Sequence, residues 1–273
     1  MGFSLDLRRQ ICLQPIDLPI FNPIALELLQ LLADQDLDIN RVIETINKDQ
    51  GLAIEILRMA NSPAYAGLCP SETIKESVSR LGVKQVTNLA MAAALAVVHT
   101  SKDHIVNYMM NHLWRHSYAC AIGCQSLAIN TGLRGLADQA YMAGLLHDIG
   151  KLYLLKAMER ISQSGEIKFS FDRETLLHVF SDMHVEQGFR IMNFWNIPAT
   201  YRSIVADHHA AHLDPHDTLL AIVRLVNFKS KQMDLDYFPR FTRQLDSHPE
   251  ITVLHVDETA RTRLETDMRD SYT

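Results

Sequence analysis

Six positions of this chain could do chemistry together: His116, the tandem His147-Asp148, His184 and the doublet His208-His209. A neutral imidazole offers one nitrogen to a borderline cation such as zinc, and a carboxylate has two oxygens, enough to bridge a second ion. Lys151 follows Asp148 by three residues, where it can act as a point charge for an anion such as phosphate. A lone histidine is ordinarily an exposed or hydrogen-bonded imidazole, and His99, His104, His112, His178, His248 and His255 read that way. The six differ because each lies within or at the end of a predicted helix. Histidines drawn from separate helices can converge in a bundle core, which is how helical metal sites are built.

The elements that must position them are helical. Leu145 and Leu146 end an apolar run beginning at Tyr141, which would bury His147-Asp148 at a helix terminus. His116 falls in a long helical pattern over residues 103–130, and a further helix begins near Leu136. Lys151 to Ile161 continues as a helix, with Gly165 marking a loop. Asp172 to Phe180 and Met183 to Trp195 are predicted as two helices, and Pro198 opens another that runs to His209. His216 to Lys231 is the last strongly periodic segment before a looser tail. There Val256, Ala260, Leu264 and Met268 recur every four residues and predict a surface helix over 257–270 docked by one narrow face.

Upstream, Ser4 to Leu13 reads as a short amphipathic helix, broken by Pro15 and Pro19. Asn22-Pro23 is a helix start, with Asn as N-cap and Pro in the first turn. Asp38 or Asn40 opens the next helix, and another runs from Gln50 to Asn61, before a loop at Tyr65-Ala66-Gly67. Thr73 starts a helix to Leu81 closed by Gly82. Leu89 to Val98 is apolar nearly all round and therefore central. Strand signals are nearly absent, Ile167 to Phe171 being too short. The expectation is an all-α protein in two helical lobes, about residues 1–100 and 101–232, with a C-terminal helical extension over 233–273.

Composition excludes several classes. The chain has 273 residues and is 47% hydrophobic, enough for one large domain or two modest ones. Its formal net charge of -6 is spread without basic clusters, which argues against nucleic acid as a partner. No apolar run reaches the length of a bilayer span. The first residues lack the basic and apolar regions of a signal peptide, and Asp6 stands where a myristoylation motif needs Ser or Thr. Cys12, Cys69, Cys120 and Cys124 form no disulfide framework and fit a reducing compartment. The expected location is the cytoplasm.

Taken in order, Trp114-Arg115-His116-Ser117, Ala143-Gly144-Leu145-Leu146-His147-Asp148-Ile149-Gly150-Lys151, Met183-His184-Val185-Glu186-Gln187-Gly188 and Asp207-His208-His209 resemble an HDOD domain, a helical signalling module of the HD superfamily. Leu18-Pro19, Asp36-Leu37-Asp38, Lys48 to Ala53, Leu57 to Ser62 and Ser77 to Gly82 are similar to the family's leading helices, so the resemblance covers about residues 14–212. In catalytic HD phosphohydrolases and the HD-GYP phosphodiesterases it implies a metal site, an HD-superfamily helical bundle with one or two divalent ions (Fe, Zn, Ni or Mn). His116, His147 and Asp148 match the first ligands, and His184, His208 and His209 the extra ligands of the binuclear type. Asp148 would bridge and Lys151 would hold the scissile phosphate of a phosphate or nucleotide ligand. The last ligand expected is Asp, where this chain has Asn227, a departure that removes a negative charge and weakens binding of a hard cation. The Gly-Tyr-Pro signature of HD-GYP enzymes is also missing.

Three functions follow. The first is a regulatory module, with a degenerate metal site, that acts through contacts with signalling proteins, the role the resemblance implies for HDOD domains. The second is a metal-dependent phosphohydrolase, with Asp148 and Lys151 catalytic. The third is a metal- or redox-sensing domain, suggested by His116, Cys120 and Cys124 at i, i+4 and i+8 on one helix face. For these cysteines simple packing of small side chains is the plainer reading.

Overall fold

The computed structural model describes residues 5–15, 22–32, 38–62, 65, 69–165, 167–235 and 248–272. The expectations resting on Met1 to Ser4, Leu18-Pro19, Asp36-Leu37 and Ala66-Gly67 lie outside them. No strand occurs among the described residues, and the protein is all-α, as periodicity requires. It divides into two compact units, one of residues 19–98 and one of residues 1–18 with 99–273.

The chain opens with α1 (Leu5–Leu13). The smaller unit then holds α2 (Pro23–Leu32), α3 (Ile39–Asn47), α4 (Gln50–Ala60), α5 (Ile74–Leu81) and α6 (Val83–Val98). Short polar side chains start these helices by accepting from otherwise orphaned amides. Asn22 Oδ1 takes the Ile24 N–H at 2.8 Å, Asp38 that of Asn40 at 2.9 Å, Asp49 that of Leu52 at 3.0 Å and Thr73 that of Glu76 at 3.1 Å. Every residue of α6 from Val86 to Leu95 is buried, and α2, α3, α4 and α5 all pack on it. An all-round apolar helix has no solvent face to offer, so its neighbours enclose it.

The larger unit contains α7 (His104–Asn130), α8 (Ala137–Leu146), α9 (Ile149–Ser164), α10 (Arg173–Phe194), α11 (Ala199–Asp207), α12 (Thr218–Gln232), α13 (Pro249–Val253) and α14 (Glu258–Tyr272). Three features differ from the sequence expectation. Helix α1 groups with this unit rather than with residues 19–98, because it packs on α9 through the buried Leu7 and Ile11 and Tyr153 donates to the Gln14 carbonyl at 3.2 Å. The two helices expected between Asp172 and Trp195 are one, since neither Gly nor Pro lies between Phe180 and Met183 to break the backbone. The short α13 has too few residues for a periodic signal.

The C-terminal helix docks as its spacing predicts. Ala260, Leu264 and Met268 are buried in a core shared with Ala119, Leu127, Ile222 and Val226, and α14 packs along α7. Polar contacts fix its register: Ser126 donates to Asp267 at 2.6 Å, and Arg115 donates to the Tyr272 carbonyl at 2.7 Å.

Candidate metal centre

The apolar run over Ala140–Leu146 is buried throughout, so α8 ends deep inside the unit. His147 is its C-cap, and Asp148 stands at the N-terminal boundary of α9. The Asp148 side chain makes no capping bond there, so its oxygens are not used on the helix end. It is 1% exposed and lies among side chains from α7, α9, α10 and the end of α11.

Two backbones must come very close for this. Gly150 lies against α10 so tightly that a β-carbon would overlap the His184 carbonyl oxygen, and at Gly144 one would sit 2.6 Å from the Cys120 carbonyl oxygen. Only glycine lets α9 meet α10 and α8 meet α7 at these spacings.

The structure brings all six predicted positions together. Nε2 of His116 and Nε2 of His147 each lie 3.2 Å from Oδ2 of Asp148 and 3.4 Å from each other. On the other oxygen, Oδ1, are His208 Nε2 at 3.5 Å and His184 Nε2 at 3.7 Å, themselves 3.4 Å apart. His209 completes that second group, its ring 4.1 Å from that of His208 and 5.1 Å from that of His184. His209 is exposed, whereas the other five positions are at most 5% exposed. Lys151 donates to Asp148 Oδ2 at 2.6 Å, so its ammonium sits on the carboxylate rather than reaching outward for an anion. Asn227, on α12, is buried, and its Oδ1 finds no hydrogen-bond partner among the described residues. Ser230, one turn on, donates to the Asn227 carbonyl at 2.8 Å and stands 3.4 Å from His116 Nδ1.

The proton positions follow from the backbone. Nδ1 of His147 is 2.8 Å from the Gly144 carbonyl, Nδ1 of His208 is 2.9 Å from that of Val205, and Nδ1 of His184 bonds that of Phe180. A carbonyl only accepts, so each Nδ1 must carry its proton. Burial pushes His147 and His184 down, His184 to about 3, with Asp148 only partly opposing it, so both are neutral and their Nε2 atoms are bare. Desolvation lowers His209 as well, with neighbouring His208 and Lys231 adding to it. Burial works against the charge on Asp148, but the carboxyl is held well below the usual carboxylate range, chiefly by the adjoining Lys151 ammonium. Bare nitrogens therefore face an ionised carboxylate whose Oδ1 accepts no hydrogen bond. Lone pairs of His147, His208 and His184 opposed to the carboxylate at 3.2–3.7 Å repel, and a cation between them turns each into an attraction. Ligand nitrogens oriented by a backbone acceptor on the opposite ring atom are the usual support of a bound metal.

Sequence reasoning gave less weight to two features. Cys120, one turn after His116, places its sulfur 3.8 Å from His116 Nε2 and groups with His116 and His147. Arg224 on α12 donates to the Ala210 carbonyl at 2.8 Å and pairs at 2.7 Å with the buried Glu250, tying down the segment that follows His208-His209. The first could be read from helical spacing, the second from nothing local in the chain.

An all-helical unit that buries histidines around one carboxylate defines a class of domain, and comparison with known proteins defines the family. Residues 18–211 match the HDOD domain, and the chain belongs to that family. It is similar in fold to an HDOD domain protein of unknown function from Geobacter sulfurreducens, with a TM-score of 0.78 and 22% identity over 98% of this chain and 95% of that one. A protein of Shewanella amazonensis SB2B, provisionally named a metal-dependent phosphohydrolase, gives a TM-score of 0.76 and 21% identity over 98% and 97% of the two chains. A protein of Marinobacter aquaeolei VT8, provisionally named a signal transduction protein, gives 0.69 and 23% over 97% and 63%. An uncharacterized protein of Treponema pallidum (strain Nichols) is 25% identical over 224 residues, 80% of this chain and 43% of its own length, so the chain spans less than half of that relative. No helix among the described residues is long and apolar enough to cross a membrane.

Proposed function

We propose that this chain is a signal-transduction HDOD module whose buried imidazole–carboxylate centre holds one or two divalent ions and hydrolyses phosphoesters weakly or not at all. His116, His147, Asp148, His184, His208 and His209 would be the ligands, with Asp148 presenting one oxygen to each group. The bare Nε2 atoms and the unbonded Oδ1 of Asp148 fit a cation. Zinc, iron, nickel or manganese suits this nitrogen-rich set better than magnesium does. A bound ion would supply charge neutralisation and, where a coordination position stayed open, Lewis acidity toward phosphate oxygens.

One observation carries the non-hydrolytic reading. The donors surrounding Asp148 are at most 5% exposed, and only His209 faces solvent. Structural ions sit in closed sites, whereas a hydrolytic ion needs a position open to substrate. Lys151 is committed to Asp148, and Asn227 brings no charge to the centre. Output through contacts with signalling proteins is the role that remains, in keeping with the name of the Marinobacter protein.

The second reading, a metal-dependent phosphohydrolase acting on a nucleotide or phosphodiester, is favoured by the exposed edge at His209 and by the name of the Shewanella protein. Turnover of cyclic dinucleotides and of an aryl phosphodiester, with manganese, iron or nickel supplied, separates the two. The expected result is no rate above that of Asp148→Ala. Fast hydrolysis abolished by that substitution would establish the enzyme instead.

A further inference from the structure

We propose that Cys120 is a thiolate ligand, making one half of the centre a soft zinc or ferrous-iron site of one cysteine, two histidines and one aspartate. This assignment rests on the metal-binding reading above and names the chemistry of one of its halves. Distances support it first. A tetrahedral zinc ion with Zn–N and Zn–O near 2.0–2.1 Å and Zn–S near 2.3 Å needs ligand–ligand separations of about 3.3 Å between nitrogen or oxygen atoms and about 3.6 Å to sulfur. Here His116 Nε2 and His147 Nε2 are 3.4 Å apart, each is 3.2 Å from Asp148 Oδ2, and Cys120 Sγ is 3.8 Å from His116 Nε2. His116, Cys120 and His147 present donor atoms all within 4.8 Å of one another. The donors come from α7 and the α8–α9 junction, and because Sγ also lies 3.9 Å from His116 Nδ1, beside the ring, ligation would take a rotation of the Cys120 side chain toward the Nε2 side.

Charge points the same way. The resemblance to metal-binding relatives calls for a carboxylate at position 227, and Asn227 supplies an uncharged amide whose buried Oδ1 bonds nothing among the described residues. With Asp148 alone, a divalent ion would leave a net positive charge in a site 1% exposed at His116, His147 and Asp148. A Cys120 thiolate removes one unit of that positive charge, to which the Lys151 ammonium on Asp148 also adds, the thiol proton passing to solvent as the metal binds. A sulfur ligand also moves preference from magnesium and manganese toward zinc and ferrous iron. The other buried thiol does not share this role. Cys124 lies one turn further along α7 with its sulfur against Gly144, outside the group of His116, Cys120 and His147. The second group, at Asp148 Oδ1, has only nitrogen and oxygen donors.

Cobalt(II) titration of the full chain tests this, in a Cys12→Ser/Cys69→Ser background that removes the exposed thiols. We expect a saturable near-ultraviolet thiolate-to-cobalt charge-transfer band, abolished in Cys120→Ser and Cys120→Ala and kept in Cys124→Ser. Helical circular dichroism shows whether each variant is folded. X-ray absorption of the zinc-loaded protein carrying both Cys120 and Cys124 needs no variant at either thiol and should show a sulfur neighbour at about 2.3 Å. Cobalt bound without the band, or a band that disappears with Cys124→Ser instead, overturns the thiolate assignment while leaving metal binding intact. No bound cobalt at all overturns both readings.

Discussion

The two units are built on the same helical principles yet treat charge in opposite ways. Among the described residues of 19–98 the buried polar groups are Thr45, Ser71, Ser77, Thr87 and Asn88, none of them ionisable, and the acidic side chains at Asp38 and Asp49 serve as helix caps. The unit formed by residues 1–18 and 99–273 buries His116, His147, Asp148, Lys151, His184 and His208 around one point, with Glu250 buried beside Arg224. Burying ionisable groups costs several kcal/mol each unless they are paired. Packing alone gives no reason to concentrate that cost at one point, and the neutral, bare imidazoles there make the cluster a candidate cation site.

Substitutions sharpen the contrast, the largest effect first. Asp148→Asn removes the one charge shared by both donor groups and leaves the Lys151 ammonium buried without its Asp148 counter-ion. Bound metal should vanish, and the metal-free protein should lose roughly 3–5 kcal/mol in urea unfolding, as when one partner of a buried pair is removed. If the variant keeps full metal content, Asp148 does not bridge. Leu89→Ala, in the buried Val86–Leu95 stretch of α6, should cost about 2–5 kcal/mol by leaving a cavity, yet metal per folded chain should stay constant. Loss of metal in that variant would show that the centre depends on the smaller unit's packing. Gly150→Ala forces α9 away from the His184 carbonyl, at a cost of about 1–3 kcal/mol. Because His184 moves with that carbonyl, metal affinity should fall together with stability, a coupling that Leu89→Ala must lack.

A smaller, graded effect comes from pH. His147 and His184 titrate below the ordinary 6.5 when folded, so the unfolded chain takes up protons first as the medium is acidified. Their stabilisation is complete above pH 6.5 and is lost as pH falls toward the folded value, about 3 for His184. The slope approaches about 1.4 kcal/mol per pH unit for each such group. Asp148, also lowered, adds a loss only below 3.8. Chemical denaturation of metal-free protein between pH 7 and pH 4 reads this directly, and flat stability across that range would mean the imidazoles are charged or exposed.

Much of this was legible in the chain because local rules and long-range packing agree there. Thr73, Asp103 and Asp172 cap the helices they precede, and of the run Leu89 to Val98 expected to be central, Leu89 to Leu95 is buried while Val97 near its end is exposed. The six-position centre was visible from residue type and motif order, since each histidine lies on or at the end of a helix whose inner face is apolar. What escaped depends on contacts between distant segments. Helix α1 joins the larger unit through Leu7 and Ile11, and Glu250 meets an arginine, Arg224, from a different helix. The division of α10 was a misreading of the same kind, since exposed Ser181 and Asp182 interrupt the apolar stripe without breaking the backbone. The roles of Cys120 and Cys124 were separable only once α8 was placed, with Gly144 against one thiol and His147 beside the other.

If the buried imidazoles and Asp148 form a cation site, the most direct test is the metal content of the full chain. The protein would be loaded with zinc or ferrous iron, freed of excess by gel filtration and measured by mass spectrometry beside Asp148→Ala. One to two ions per chain are expected, and none in the variant. A chain that emerges metal-free, or a variant that retains as much metal as the unmodified protein, would contradict the cation site.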